Sequence, residues 1–307
     1  MTRARRGVVV GLALMVAFGP AAPVLAANEL STDVTADLEG TLAADHDAVE
    51  DTGSGAPAKI DLGALPAAAD VSAYSVATNG DVLFALDAGA ELSGAVVVTA
   101  RDVVRWDGAV YTVELAGAGH GIPAGARIDA IGVVQGDLLL SFDVGVTLGN
   151  VTAADEDLVR LESTQPDVWS LFFDGSAAGV PVAADLDGAD LVDASGRLAL
   201  SFDVSGTVGG VAFADEDVLE YDPDGGAWSK RLAGASRFPA LVAADVDALF
   251  VPEPDAAALA AGAAGALLAL RRRRCALALQ DRGRPAGSGW VPRRVLPRRA
   301  SDRGVPG

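Results

Sequence analysis

Residues 138–162 read LLLSFDVGVTLGNVTAADEDLVRLE, and residues 198–222 read LALSFDVSGTVGGVAFADEDVLEYD, so one unit recurs without a gap. A tryptophan-containing run follows each copy, VWSLFFDG at 168–175 and AWSKRLAG at 227–234. A third copy is split into VLFALDAG at 82–89, RDVVRWDG at 101–108 and VYTVELAG at 110–117. Internal similarity of this kind indicates a repeat architecture.

A fainter copy, ELSTDVTADLEGTLAADHDAVED at 29–51, is followed by AKIDLG at 58–63. It aligns with 139–161 at a constant shift, which pairs Asp33 with Asp143, Asp45 with Asp155 and Asp47 with Asp157. A different segment type separates the copies, and it occurs at 65–76, 122–134, 180–192 and 238–251. Each unit therefore offers four short runs, which we call a, b, c and d in chain order.

The runs are rich in Val, Leu, Phe and Trp and are divided by Gly, Asp and Pro, which is typical of strands. Four antiparallel strands per repeat is the pattern of a propeller blade. The first copy has b, c and d but lacks a, whereas the last segment, 238–251, is an a run with nothing after it. The sequence therefore predicts an all-β, four-bladed propeller-like ring closed by its N- and C-terminal strands. The alternative is another all-β repeat stack or a sandwich.

The body, residues 27–252, contains 38 Asp and Glu against 9 Lys and Arg, a net charge of −29. Nucleic acids and anionic lipids are bound through Lys and Arg, so neither is an expected partner of this body. The single cysteine, Cys275, lies outside the body, which therefore has no disulfide. Stability has to come from core packing, with bound metal as a further contributor.

An acidic loop recurs before run c, and its first and last acids are the candidate metal ligands: Asp45 and Asp47, Asp155 and Asp157, Asp215 and Asp217. Each b run adds one more acid, at Asp33, Asp87, Asp143 or Asp203. Calcium takes six to eight oxygen ligands, and such loops could supply part of that shell. The competing interpretation is structural, because Asp in a loop also accepts hydrogen bonds from nearby backbone amides. We expect no other cofactor.

The sequence shows no catalytic motif, neither G-x-S-x-G, nor a Walker sequence, nor H-E-x-x-H. Tyr111, Trp169 and Trp228 occupy one position of run d, where we expect packing rather than stacking on sugars. Carboxylates are plentiful, yet a glycosidase needs two of them in different environments. We therefore predict a protein that is not an enzyme, with an extracellular hydrolase, such as a glycosidase acting on matrix polysaccharide, as the alternative.

The N-terminal residues read MTRARR, then GVVVGLALMVAFG, then PAAPVLA. A basic stretch, a short apolar stretch and small residues before a cleavage point are the three parts of a secretory signal peptide. The pattern predicts a signal peptide over residues 1–26 that is cleaved after Ala26. A β-repeat domain over 27–251 follows it.

The body ends in VPEPDAAALAAGAAGALLALRRRR at 251–274. Pro252, Glu253 and Pro254 precede an apolar segment at 255–270 and the cluster Arg271, Arg272, Arg273 and Arg274. Arginines beside an apolar segment stay on the cytoplasmic side of a membrane. This order resembles the PEP-CTERM sorting signal of exported bacterial proteins, here over 252–274. The repeat unit itself resembles units of other secreted bacterial proteins that often carry this signal.

The resemblance implies processing by an exosortase-type enzyme and delivery to the cell envelope, the cell surface or an exopolysaccharide matrix. It also implies a transient membrane contact through a transmembrane helix at 255–270. Residues 275–307, rich in Arg, Pro and Gly, extend further than such signals normally do, and we expect a disordered basic tail. We therefore expect an exported structural or binding module, with exopolysaccharide or another envelope component as its partner.

Overall fold

A computed structural model describes residues 28–252, which belong to one compact unit. The signal peptide with its cleavage site at Ala26, the sorting residues after Pro252 and the basic tail lie outside the described residues. Among residues 28–252, no helix has the length and apolar character needed to cross a membrane.

The strands follow the predicted repeat. The N-terminal segment contributes β1 (Asn28–Ser31), β2 (Ala36–Leu38), β3 (Thr41–Ala43), β4 (Val49–Asp51) and β5 (Ala58–Lys59). The next unit contributes β6 (Val71–Val76), β7 (Val82–Leu86), β8 (Ala90–Leu92), β9 (Val96–Val98), β10 (Val103–Trp106) and β11 (Tyr111–Leu115). The third contributes β12 (Ile128–Val134), β13 (Asp137–Phe142), β14 (Val146–Leu148), β15 (Val151–Ala153), β16 (Leu158–Thr164) and β17 (Asp167–Phe173).

The fourth unit contributes β18 (Gly188–Leu191), β19 (Leu198–Ser201), β20 (Gly206–Val208), β21 (Val211–Phe213), β22 (Val218–Asp222) and β23 (Ala227–Leu232), and β24 (Ala248–Phe250) comes last. The helices are single turns between units: α1 (Gly175–Ala178), α2 (Gly234–Arg237) and 3-10 helices at Gly117–His120 and Pro239–Ala243. The all-β prediction is confirmed.

Four antiparallel four-stranded sheets form the blades. From the inner strand outwards, blade 1 is β24-β1-β4-β5, blade 2 is β6-β7-β10-β11, blade 3 is β12-β13-β16-β17 and blade 4 is β18-β19-β22-β23. Blade 1 therefore takes its inner strand from the C-terminal end of the body. In this pair Leu30 lies opposite Leu249 and Glu29 opposite Phe250, which confirms the predicted closure by the two chain ends.

The blades form a closed ring, because each inner strand contacts the next: β6 with β12, β12 with β18, β18 with β24, and β24 with β6. Four apolar clusters lie between neighbouring blades, one at each interface. Phe202 and Phe213 pack between blades 3 and 4, and Phe238 packs between blades 4 and 1. The protein is a four-bladed β-propeller, held together by the apolar surface that each blade presents to the next.

The repeat contains two more strands than we predicted. Between the second and third strand of every blade, a two-stranded hairpin projects: β2-β3, β8-β9, β14-β15 and β20-β21. In the last of these, Gly209 and Gly210 have φ of 56° and 84°, as a tight hairpin turn requires. Strands of only three residues are too short for an alternating pattern to reveal.

Candidate functional site

All the recurring acids lie at one end of the ring, which we call the acidic mouth. Within a blade, the inner strand begins there, the second strand ends there and the third begins there, because neighbouring strands run antiparallel. In blade 2 these points are marked by Asp70, Asp87 and Asp102. The turns on the opposite end of the ring join the first strand to the second and the third to the fourth.

The last acid of each acidic loop anchors the backbone. Asp157 accepts hydrogen bonds from the backbone amides of Ala154 at 2.8 Å and Gly175 at 2.9 Å, one on each carboxylate oxygen. Asp217 holds Ala214 and Gly234 at 2.9 and 3.0 Å, and Asp102 holds Thr99 and Gly117 at 2.8 Å each. In blade 1, Asp47 accepts from the Ala44 amide at 2.8 Å and from Lys59 Nζ at 2.5 Å. Asp102, Asp157 and Asp217 therefore fasten their loop to the first residue of the connection that leads to the next blade.

The glycine that completes this anchor has a steric reason. A Cβ atom on Gly175 would lie 2.3 Å from the carbonyl oxygen of Glu156, and one on Gly234 would lie 2.0 Å from that of Glu216. Only glycine therefore lets the chain after the fourth strand approach the acidic loop closely enough for its amide to reach the Asp carboxylate.

The first acid of each loop faces the next blade. The carboxylates of Asp45, Asp155 and Asp215 raise the pKa of Asp70, Asp185 and Asp245 respectively, although burial is the largest cause of each shift. Burial first, and then nearby carboxylates that include Asp87 beside Asp70 and Asp247 beside Asp245, bring the pKa of Asp70 and Asp185 to about 7 and that of Asp245 to about 8. The predicted metal candidates thus divide into anchors and acids that face the mouth.

The aspartates that follow the second strand of blades 1, 3 and 4 also accept hydrogen bonds from backbone amides. Each of these acids accepts a backbone amide from the segment just before the inner strand of its own blade, at 2.7 Å: Asp33 from Asp245, Asp143 from Arg127 and Asp203 from Asp185. In blade 2 the equivalent Asp87 has one buried carboxylate oxygen, Oδ1, without a hydrogen-bond partner.

A second ring of polar residues surrounds the propeller axis, and none of its members was among the predicted site residues. Two residues into each inner segment stand Ser72, Asp129, Asp187 and Asp247, one per blade. They line a cavity of about 20 Å³ together with Asp70, Asp87 and Arg127, and we call it the axial cavity. The Asp-x-Asp spacing at 185–187 and 245–247, at the start of two of the four a runs, is the sequence signal that could have revealed it, because alternate residues of an extended segment share a face.

Asp129 is the most deeply placed of these acids. Its side chain is only 2% exposed, and neither carboxylate oxygen has a hydrogen-bond partner. Burial raises its pKa well above the usual range, and Asp185 and Asp187 add to the shift. Burial likewise raises the pKa of Asp187 to about 9 and that of Asp247 to about 7.

Arg127 breaks the four-fold pattern. It stands where the other three blades have Asp70, Asp185 and Asp245. The acidic loop of blade 2, which precedes Arg127 in the chain, also departs from the pattern. It reads Ala100-Arg101-Asp102, so the first acid is replaced by alanine and only the anchoring acid remains. One guanidinium therefore faces five carboxylates around the axial cavity.

The described part of the chain contains no preformed group of three or more His, Cys, Asp or Glu side chains placed to hold a metal ion. The two histidines lie away from each other, His46 against Asp45 at 3.0 Å and His120 against Asp167 at 2.9 Å.

The aromatic residues of the outer strand pack between blades. Tyr111 and Trp228 are 4% and 8% exposed, and the indole nitrogen of Trp228 donates to the carbonyl oxygen of Ala178 at 3.1 Å. Trp169 is partly buried against the cluster between blades 2 and 3. The prediction that these side chains serve packing is consistent with these positions.

No protein-family model and no curated protein sequence matches this chain. Three solved structures are similar to parts of it. The extracellular domain of a hybrid two-component system protein from B. thetaiotaomicron is 9% identical over 62% of this chain and 20% of its own length, with a TM-score of 0.28. Virginiamycin B lyase from Staphylococcus aureus is 10% identical over 66% of this chain and 73% of its own, with a TM-score of 0.29.

A protein of unknown function from Bacteroides caccae is 11% identical over 65% of this chain and 55% of its own, with a TM-score of 0.27. This chain thus spans only a fifth of the first of these structures and about half of the third. Scores this low transfer no function, and the propeller assignment rests on the strand pairing described above.

Proposed function

We propose that this chain is an exported propeller without catalytic activity, which serves as a structural or binding module at the cell surface or in an exopolysaccharide matrix. One observation carries the non-catalytic part of the proposal. In blades 2, 3 and 4 the last acid of the acidic loop makes the same two backbone hydrogen bonds, and carboxylates used in this way stabilise the fold.

The size of the axial cavity supports the same proposal. A pocket for a small organic ligand usually has a volume of about 300–1,000 Å³. The axial cavity, at about 20 Å³, holds about one water molecule and cannot admit a sugar ring. The carboxylates inside the axial cavity whose pKa is raised, such as Asp129 and Asp187, are therefore out of reach of a polysaccharide.

Two larger grooves, of about 250 and 220 Å³, lie between blades 2 and 3 away from the acidic mouth. Their carboxylates are held by other side chains. Arg105 donates to Glu114 at 2.7 Å, Arg160 to Asp137 at 2.6 Å and Ser170 to Glu162 at 2.7 Å. Acids paired in this way suit the binding of a polar surface better than proton transfer to a glycosidic oxygen.

The surface and matrix part of the proposal rests on the two ends of the sequence, the signal peptide ending at Ala26 and the PEP-CTERM pattern at 252–274. A strongly acidic body also suits export, because net charge keeps a protein soluble and prevents association with anionic lipid. An exosortase-type enzyme is the proposed processing partner.

The test is cell fractionation with two variants of the arginine cluster. Wild-type chain should be recovered, shortened, in the surface or matrix fraction. Replacing Arg271–Arg274 with Ser should leave unprocessed chain in the membrane fraction, whereas replacement with Lys, which keeps the charge, should be sorted more nearly normally. Normal delivery of the Ser variant would refute the sorting mechanism.

The catalytic alternative is tested on the same material. Purified chain should bind to extracted matrix polysaccharide in a sedimentation assay without releasing new reducing ends over time. A steady release of reducing ends that follows the concentration of the chain would establish the hydrolase instead.

A further inference from the structure

The two grooves between blades 2 and 3 form one continuous depression, which we call the interblade groove. They adjoin because they share three lining residues, Glu114, Gly136 and Leu138. Their volumes, about 250 and 220 Å³, are more than ten times that of the axial cavity. The interblade groove therefore has room for a ligand that the axial cavity excludes.

The outer strands of blades 2, 3 and 4 each contain a bulge at the same place. The residues that this bulge leaves unpaired are Glu114, Phe172 and Arg231. Phe172 packs against the apolar cluster between blades 3 and 4, and Arg231 donates to the side chain of Asn28 in blade 1 at 2.9 Å. In both cases the bulged residue reaches the next blade, as a bulge that re-aims a side chain allows.

Glu114 is held by its own blade instead. Its carboxylate accepts a hydrogen bond at 2.7 Å from Nε of Arg105, which lies in the third strand of blade 2. On the facing side, blade 3 has a two-residue turn, Gln135-Gly136, and a Cβ atom on Gly136 would meet no other atom within 4 Å. The space that an aromatic ring fills between blades 3 and 4 is therefore open between blades 2 and 3.

The interblade groove has an apolar floor and a polar rim. The floor consists of leucines that are buried or half-buried: Leu83, Leu115, Leu138 and Leu161. The rim consists of exposed or half-buried polar side chains: Asn79, Arg105, Glu114, Glu162, Ser163 and Thr164. Apolar surface with a few polar groups around it is the usual composition of an organic ligand site. A sugar ring, with C–H groups on its faces and hydroxyls around its edge, matches this arrangement.

The ion pairs at the groove favour a neutral ligand. Arg105 pairs with Glu114, and Arg160 pairs with Asp137 at 2.6 Å. An ionised carboxylate has about four acceptor sites, so Glu114 and Asp137 retain capacity for the hydroxyls of a sugar. An anionic polymer would be repelled by the strongly acidic body.

We propose that the interblade groove binds consecutive units of a neutral polysaccharide, a proposal that rests on the proposed binding function. Each part of the groove is smaller than the roughly 300–1,000 Å³ of a typical ligand pocket, and the two parts adjoin. Two adjoining small depressions suit neighbouring rings of a polymer better than one compact ligand. The hydrogen bonds to the polymer come from both blades.

The experiment is a calorimetric titration of the purified full chain with three probes, the neutral cellohexaose and maltohexaose and the anionic hexagalacturonate. At least one neutral probe should bind, with a dissociation constant on the order of 10⁻⁴–10⁻³ M, because an open groove desolvates only part of each ring. Its affinity should not change with sodium chloride concentration, since no net charge is neutralised on binding. Hexagalacturonate should not bind.

Glu114→Phe places in blade 2 the kind of side chain that blade 3 carries at the equivalent bulge, and it should fill the groove. Binding of the neutral probe should weaken at least about ten-fold. The melting midpoint should stay within about 2 °C of wild type, because the substituted residue lies at the surface.

The matched control is Glu91→Phe, the same change at an exposed residue of β8 in a projecting hairpin. It should leave the affinity within about two-fold of wild type, since distant sites act independently. Glu114→Gln keeps the size and the acceptor oxygen, so it should bind the neutral probe within about three-fold of wild type. A larger loss in Glu114→Gln would indicate a cationic ligand and contradict the proposal.

Hydrogen exchange provides a readout that needs no variant. The bound oligosaccharide should slow amide exchange within 77–83, 133–138 and 161–164 and leave the acidic mouth unchanged. The proposal is overturned if neither neutral probe binds, if Glu114→Phe and Glu91→Phe bind equally, or if protection appears elsewhere. If the chain still sediments with extracted matrix polysaccharide in any of these cases, the proposed binding function stands and uses another surface.

Discussion

Leu249 is the side chain that best tests whether the chain ends close the ring. It lies in β24, is 1% exposed and pairs with Leu30 of β1, which is fully buried. It belongs to the cluster between blades 4 and 1. Replacing a fully buried Leu with Ala removes transfer free energy and leaves a cavity, and together these cost about 2–5 kcal/mol.

For a domain of this size, 1 kcal/mol shifts the melting midpoint by about 2–4 °C, so Leu249→Ala should lower it by roughly 4–20 °C. Circular dichroism during heating and urea unfolding both measure the effect. The control is Leu42→Ala, the same change at a residue that is 61% exposed, which should stay within about 0.5 kcal/mol of wild type. Equal midpoints for the two variants would mean that β24 does not close the ring in solution.

Two further predictions concern buried acids. Burial raises the pKa of Asp190 from an ordinary value of 3.8 to about 8. Between about pH 4 and pH 8, the carboxyl group is therefore protonated in the folded state and ionised in the unfolded state. Stability should therefore fall as pH rises through that window, and Asp190→Asn, which can still accept from the Val251 amide, should gain on wild type by about 1.4 kcal/mol per pH unit. Parallel curves of unfolding free energy against pH for the two proteins would contradict this. Asp157→Ala leaves two backbone amides without acceptors, including the buried amide of Gly175, and should cost about 2–4 kcal/mol in urea unfolding. Asp155→Ala, the control in the same loop, should cost less than 1 kcal/mol or so, and an equal cost would show that Asp157 is no anchor.

The blade count and the closure were predictable because both depend on order along the chain. A recurring unit sets the number of blades, and the missing first run at residue 29 and the surplus run at 238–251 set how the ring closes. The structure adds the small hairpins, such as β20-β21, which no sequence pattern indicated. They lie outside the blade sheets, and each of their three-residue strands has only one buried residue, so they leave no clear hydrophobic pattern in the sequence.

The acidic loops were predictable as a recurring feature, although their role was open. Sequence alone cannot say whether Asp157 faces a metal or a backbone amide, because both uses favour the same residue at the same place. The position of Gly175 shows that Asp157 binds a backbone amide. Gly175 lies next to the loop only because the third and fourth strands of the blade pair with each other.

The sequence by itself determined that the chain folds as a ring of four similar blades, since the alternation within a strand and the number of repeats can both be read directly along the chain. Only the tertiary structure decided what stands on the axis. Asp129, Asp187 and Asp247 lie about 60 residues apart along the chain, and their common place in run a does not by itself show that their side chains meet at one cavity. Closure of the ring brings them together and removes their water, and burial with like charges, rather than residue type, gives them their unusual chemistry.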